Sequence, residues 1–311
     1  MTTIEVKGIC KSYGRIVALK DVSFTVREHR IHGLIGHNGA GKTTTLRIIL
    51  GLLKPDRGSV VINGHDVVKK PDVMWRMSGY VAEEEGYYDY LNAHEYLEFF
   101  AEAHGMDKSE ARRRINELLE VMEMKDYSRR KIATYSKGMR RRISLVRALL
   151  HDPEFLVLDE PTAGLSPEAA MEIRDLITAL AEDELAGKTV LVSSHNLWEL
   201  ERICTDITIL HRGSVVFTGT LDELKHMVGE KQRFRIELDQ PIKSEIIRDL
   251  QGSIGFKLLH ANSRTYIIEC GEKEIAMIVS ELTNRGLKIL SLSEEKASLD
   301  EIYAELWRRL K

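Results

Sequence analysis

Residues 31–44 read Ile31-His32-Gly33-Leu34-Ile35-Gly36-His37-Asn38-Gly39-Ala40-Gly41-Lys42-Thr43-Thr44. Residues 31–35 predict a buried strand, GxxxxGKT spacing follows, and a helical pattern runs on through Leu50. That strand and helix are the context in which this spacing holds phosphate. Glycines let successive backbone N–H groups turn inward around phosphate oxygens, and the helix N-terminus adds the positive end of its dipole. Lys42 then supplies a mobile charge for the β- and γ-phosphates, and the Thr43 hydroxyl is a candidate Mg²⁺ ligand. Gly36, His37, Asn38, Gly39, Ala40, Gly41, Lys42, Thr43 and Thr44 are therefore the expected cradle. The bland alternative is a glycine-rich turn with an incidental lysine.

A second apolar strand, Phe155 to Leu158, ends in Asp159-Glu160. In α/β proteins ligands collect at the carboxyl ends of such strands. Asp159 is a candidate to hold Mg²⁺ directly or through water, and Glu160 to polarise a water for in-line attack on a γ-phosphate. Alone the pattern is weak; beside a phosphate loop it is strong.

Outward from these anchors, residues 1 to about 220 alternate β-branched runs with helical patterns, the mark of helices on a mostly parallel sheet. Early strands around Gly8, Gly14 and Asn63-Gly64 read as hairpin-like pieces separated by turns. A helical stretch from about 92 to 150 reads as an inserted subdomain, with patterns over 93–104, 109–121 and 137–150. From about 221 to 311 a new cycle begins: a helix-like TLDELKHMV, then βαββαβ, the ferredoxin-like order. A last amphipathic helix is expected over Ser298 to Leu310. The basic triplets at 112–114 and 129–131 read as solvated faces, whereas 140–142 lies inside a helix.

With 311 residues, 45 Lys and Arg against 48 Asp and Glu, and a formal net charge of −3, the chain has no global positive field for nucleic acid or an anionic membrane. The longest run without Asp, Glu, Lys or Arg is residues 31–41, short of the ~20 apolar residues that span a bilayer. The N-terminus has no apolar core of signal-peptide length, and Cys10, Cys204 and Cys270 have no metal or redox spacing. These features predict a reduced, cytosolic protein.

The ordered motifs together resemble the ATP-binding-cassette (ABC) ATPases, with residues 1 to about 220 similar to one nucleotide-binding domain of a transporter. The resemblance implies an α/β P-loop NTPase fold of ABC type with an inserted helical subdomain, followed by a small α+β domain. Tyr13, in Lys11-Ser12-Tyr13-Gly14, matches the aromatic that stacks on adenine; otherwise it is a turn tyrosine. Glu83 falls where the family usually has a glutamine that reaches Mg²⁺ and the attacking water. Tyr135-Ser136-Lys137-Gly138-Met139 stands in the place of the signature usually read LSGGQ, 23 residues before Asp159. Ser136 and Gly138 keep the hydroxyl and helix N-terminus that face the γ-phosphate of ATP on a partner protomer, and Lys137 and Met139 depart. Without the resemblance Ser136 is simply a helix cap.

Pro161 to Ser166 matches the next loop, with Ser166 in place of the usual Asp. His195, in Ser193-Ser194-His195, resembles the switch histidine that bonds the γ-phosphate, where an isolated reading would make it a structural histidine. Ala297 to Tyr303 looks like the tail of ATP-binding subunits of exporters whose membrane domains are separate chains.

By that resemblance the chain is an ATPase motor subunit that binds ATP and Mg²⁺, pairs head-to-tail as a homodimer or heterodimer, and drives transport, with export favoured, through a separate membrane permease. It would sit at the cytoplasmic face of the cell membrane, with a regulatory or dimer-stabilising C-terminal domain or an inert add-on. Two alternatives stand beside this reading. One is a nucleotide-gated module of low turnover, suggested by Glu83, Lys137, Met139 and Ser166. The other is a soluble ABC ATPase acting on nucleic acid or ribosomes, against which stand the single cassette and the acidic balance.

Overall fold

The computed structural model describes residues 4–182, 187–228 and 233–294. A hairpin opens the chain: β1 (Ile4–Tyr13) and β2 (Ile16–Val26) pair antiparallel about Gly14. Gly8, read from the sequence as a turn, lies inside β1. Its φ of 58° is absorbed as a bulge, with register shifting between Val6 and Ile9. The strand carries on because Ile4, Val6 and Ile9 are all buried in the same core.

The buried β3 (Ile31–Ile35) leads through the glycine loop into α1 (Lys42–Ile49). β4 (Arg57–Ile62) and β5 (His65–Asp66) complete an antiparallel sheet ordered β2-β1-β4-β5. α2 (Pro71–Met77), with proline in its first turn, precedes β6 (Ser78–Val81). Next come α3 (Ala93–Ala103), α4 (Lys108–Val121) and α5 (Lys137–Leu149). α3 starts on a capping box between Asn92 and Glu95, α4 on Asp107 and α5 on Ser136; each such cap contributes about 1 kcal/mol.

The chain returns through β7 (Phe155–Asp159), α6 (Pro167–Glu182), β8 (Thr189–Ser194), α7 (Leu197–Glu201), β9 (Asp206–His211) and β10 (Ser214–Thr220). The second sheet is ordered β10-β9-β3-β8-β7-β6, parallel from β9 to β6, with β10 antiparallel at its edge. One apolar cluster joins Ile4 and Ile62 of the antiparallel sheet, Leu46 and Ile49 of α1, and Phe155 and Leu191 of the parallel sheet. The helix after the glycine loop is thus anchored to both sheets, and truncating Leu46 to Ala would cost roughly 2–5 kcal/mol.

A division between Leu221 and Asp222 separates this unit from a second. α8 (Leu221–Val228) begins at that division. The second unit continues with β11 (Arg233–Leu238), α9 (Ser244–Ile254), β12 (Lys257–Ala261), β13 (Thr265–Glu269), α10 (Glu272–Asn284) and β14 (Ile289–Glu294). Its sheet is wholly antiparallel, ordered β12-β13-β11-β14, which is the βαββαβ arrangement expected. Leu250 of α9 and Ile278 and Leu282 of α10 close its core against Ile236 and Ile268. The helix expected over Ser298 to Leu310, and with it the tail motif, lies outside the described residues.

His32, at the middle of the parallel sheet, is buried, bonds Thr208 Oγ1 at 2.8 Å through Nε2 and stacks on Phe24. Burial drops its pKa from 6.5 to about 4, against the opposing pull of Asp206. The unfolded chain therefore takes up a proton that the folded one refuses, and stability falls as the pH drops from about 6.5 toward 4. The limiting slope is about 1.4 kcal/mol per pH unit. His151 shifts in the same direction, so a comparison with His32→Gln isolates His32. Going from pH 7 to pH 5, the wild type should lose more thermal stability than the variant in a calorimetric melt. Equal losses would clear His32.

Candidate active site

Loops that follow parallel strands all leave from one sheet edge, and β3, β8, β7 and β6 are consecutive neighbours. The glycine loop, His195, Glu160 and the Glu83 loop therefore emerge side by side. Gly39 (φ 80°) and Gly41 (φ 107°) take the left-handed conformation that an L side chain resists. A Cβ on Gly36 would stand 2.7 Å from the Leu210 carbonyl oxygen and 2.8 Å from the Ala40 Cβ. The loop is fixed from behind by Gly213, whose N–H donates to the Ala40 oxygen and whose oxygen accepts from the Lys20 N–H.

The buried Lys42 Nζ donates to the Gly36 carbonyl at 2.7 Å and lies 3.2 Å from Glu160 Oε1. Glu160 Oε2 is 2.9 Å from His195 Nδ1. One carboxylate thus spans a cation from α1 and an imidazole from the end of β8. Glu160 has φ 47°, a conformation costing about 1–3 kcal/mol for a non-glycine residue. The turn is held by its N–H, which meets both the Ser193 hydroxyl at 3.1 Å and the Ser193 carbonyl, and by its oxygen, which accepts from the Ala163 N–H. The Ser193 hydroxyl donates to Asp159 Oδ1 at 2.5 Å. Ser193 thus ties the two carboxylates together. It stood in the Ser193-Ser194-His195 motif, but only the pairing of β7 with β8 shows its role.

Asp159 is buried, and among the described residues it forms no ion pair. A buried carboxylate bonded to a neutral hydroxyl favours a nearby cation. Asp159 and the Thr43 hydroxyl are hard oxygen donors of the kind that suits Mg²⁺. Burial, and then the charge of Asp159, push the Tyr80 hydroxyl up to about 12.

Four other predicted residues stand outside this bonded cluster. Tyr13, at the end of β1, is 48% exposed, with Lys11 Nζ 5.9 Å from its ring centroid. Ser136 caps α5 by accepting the Met139 N–H. With Gly138 it lines a cavity of about 390 Å³ shared with Tyr127, Arg142, Ala169 and Glu172. The Lys137 amine reaches the Gly164 turn, 3.3 Å from where a Cβ would stand. Glu83 is exposed, and its carbonyl oxygen accepts from Arg141. Among the described residues, none of Tyr13, Glu83, Ser136 and Gly138 bonds to Lys42, Asp159 or Glu160.

The first unit also carries a groove of about 910 Å³, lined by Leu52, Trp75, Tyr80, Phe100, His104 and Arg147 among others. Trp75 is 60% exposed there. The stacked rings of His104 and His151, 4.0 Å apart, form part of its wall. Burial, with His104 alongside, lowers His151 to about 4 and keeps it neutral near pH 7.

Comparison with known proteins decides the family. A model for "ABC transporter" matches residues 19–163, and a model for the C-terminal domain of DrrA1-3-like ATP-binding proteins matches residues 219–307. The chain is 38% identical to the ABC transporter ATP-binding protein NatA of Bacillus subtilis, over 67% of this chain and 84% of NatA. It is 31% identical to the bacitracin transport ATP-binding protein BcrA of Bacillus licheniformis, over 98% of this chain and 97% of BcrA. This chain belongs to the ABC transporter ATP-binding proteins.

Like other ABC ATP-binding proteins it binds ATP and is an ATPase, releasing ADP and phosphate. It is also 37% identical to the daunorubicin resistance ATP-binding protein DrrA3 of Streptomyces coeruleorubidus, over 73% of this chain and 71% of DrrA3. Among solved structures, a dimeric ABC cassette in a post-hydrolysis state with ADP and Pi matches at a TM-score of 0.63 and 28% identity, covering 70% of this chain and 98% of the other. No helix among the described residues of this ABC protein is long and apolar enough to cross a membrane.

Replacing Gly36 by Ala forces a methyl group onto the Leu210 carbonyl and Ala40. Equilibrium binding should show ATP affinity falling at least about tenfold, with the melting temperature lowered as well. Wild-type affinity would contradict the tightness of the loop.

Proposed function

We propose that this ATPase is the motor subunit of a membrane transporter and works as one of two head-to-tail ATP-binding subunits, identical or not. The observation that carries this reading is a site in two parts. Lys42, Glu160 and His195 converge at one sheet edge, while Ser136 and Gly138 line a separate cavity against α6. A second subunit would bring its Ser136 hydroxyl and α5 N-terminus to the phosphates held by the first, where helix N–H groups favour anions.

In this reading the backbone from Gly36 to Thr44 wraps the phosphates, Lys42 neutralises them and Tyr13 stacks on adenine. Glu160 accepts the proton of the attacking water, and His195, bonded to Glu160 Oε2, orients water and γ-phosphate. Thr43 and Asp159, with Glu83 on the neighbouring loop, would hold Mg²⁺, whose charge offsets that developing on the phosphate oxygens. Closure and release of the pair would drive a separate permease, seated in the Trp75 groove, which offers an exposed aromatic wall beside Arg76. The protein would then sit at the cytoplasmic face of the cell membrane. Similarity to DrrA3 and BcrA supports export as the direction. Residues 221–311 are read as a regulatory or dimer-stabilising module. Low turnover is the second reading, favoured by Lys137, which occupies the Gly164 turn within its own chain.

Glu160→Gln should keep ATP affinity, form a stable ATP-dependent dimer on size exclusion, and lose about 10²-fold or more in kcat. Turnover near the wild-type rate would remove Glu160 as the base. Lys42→Ala should abolish measurable ATP binding, and undiminished affinity would remove the cradle.

A further inference from the structure

The loop after β6 is fastened to α5, the helix that Ser136 caps, by an ion pair whose carboxylate, Glu85, has no role above. The Glu85 side chain is 3% exposed, and its Oε1 lies 2.8 Å from Arg147 Nη2. The same oxygen accepts the Ala82 N–H at 3.1 Å, and Oε2 accepts the Ser144 hydroxyl. Arg147 also donates to the Tyr80 carbonyl and to the Tyr96 hydroxyl, each at 3.1 Å. Arg141 donates to the carbonyls of Ala82, at 2.7 Å, and Glu83, at 3.2 Å. The backbone on both sides of Glu83 is therefore tied to one helix. A buried ion pair adds little net stability over a well-packed apolar pair, because both charges lose water. What it adds is direction: the guanidinium fork satisfies Glu85 and the Tyr80 carbonyl in one arrangement.

We propose that Glu85 is a positioning residue for ATP hydrolysis. Its ion pair with Arg147 makes the Glu83 loop and the α5 signature helix move as one body, so that Glu83 takes its working place together with Ser136. This rests on the reading of Glu83 and Ser136 as parts of the nucleotide site. The pair acts through the loop and touches no nucleotide, so its loss should lower kcat and leave ATP binding alone.

The test uses the full chain, with equilibrium ATP binding, steady-state ATPase kinetics and thermal melts on E83A, E85Q, E83A/E85Q and E85Q/R147Q. The last variant leaves no unpaired buried charge and guards against simple misfolding. E85Q is expected to bind ATP within about twofold of wild type and to lose at least about tenfold in kcat, since small misplacements near reacting atoms are costly. E85Q/R147Q should melt near the wild type and stay slow. E83A/E85Q should be no slower than the slower single variant, because both act at one point. Wild-type kcat in E85Q/R147Q, or a kcat loss in E85Q matched by lost folding or ATP affinity, overturns the proposal. Multiplying effects of E83A and E85Q overturn it while leaving the Glu83 assignment intact. An E83A variant with wild-type kcat removes that assignment and the proposal together.

Discussion

Parallel strands have no freedom over where their following loops emerge: all leave at the carboxyl edge. β3, β8, β7 and β6 are consecutive neighbours, so the glycine loop, His195, the two carboxylates and the Glu83 loop share that edge although they span residues 36 to 195. Charge then has to balance in a nearly dry place. Lys42 and Glu160 are both almost fully buried and lie 3.2 Å apart, so that each meets an opposite partner where water is nearly excluded, and removing either would leave the other unpaired. Anchoring α1 to both sheets fixes the lysine end of that pair. Ser193 fixes the carboxylate end.

The helical insertion serves the same edge from a distance. α5 begins at the Ser136 cap, binds the Glu83 loop through Arg141 and, in its last turn, the Glu85 side chain through Arg147, and ends at the groove that Arg147 and, just past the helix, His151 line. One helix therefore touches the cavity lined by Ser136 and Gly138, the Glu83 loop and the Trp75 groove. Its arginines were the least readable charges in the sequence. Arg141 is buried on carbonyl oxygens, whereas Arg140 and Arg142 pair with Asp89, Glu123 and Glu172. By contrast Arg112 and Arg113, on α4, form the exposed pairs expected of a solvated face.

The signals legible from sequence were those carried by neighbouring residues. Residues 31–44 and 155–160 announce strand, loop, helix and carboxylates because each needs only local spacing and a buried apolar run. The βαββαβ order of the second unit was legible for the same reason, as alternating and helical periodicities follow one another over short segments. Gly8 misled, since a glycine marks a turn and a bulge equally well until the partner strand shows which side stays buried. Glu85 gave no signal, one acid among Glu83-Glu84-Glu85, because its arginine is 62 residues away.

The sequence by itself determined the groups at hand: a glycine loop running into a lysine, a strand ending in two acids, a histidine after a third strand, and two units of different texture. Only the tertiary structure decided which of these meet. Lys42, Glu160 and His195 converge, whereas Ser136 and Gly138 face a separate cavity, and one of three adjacent glutamates is drawn inside to meet Arg147. The reason is physical. Backbone preference and periodicity act between near neighbours in the chain, while burial and charge pairing act through space, and strand order alone fixes which distant residues share a desolvated edge.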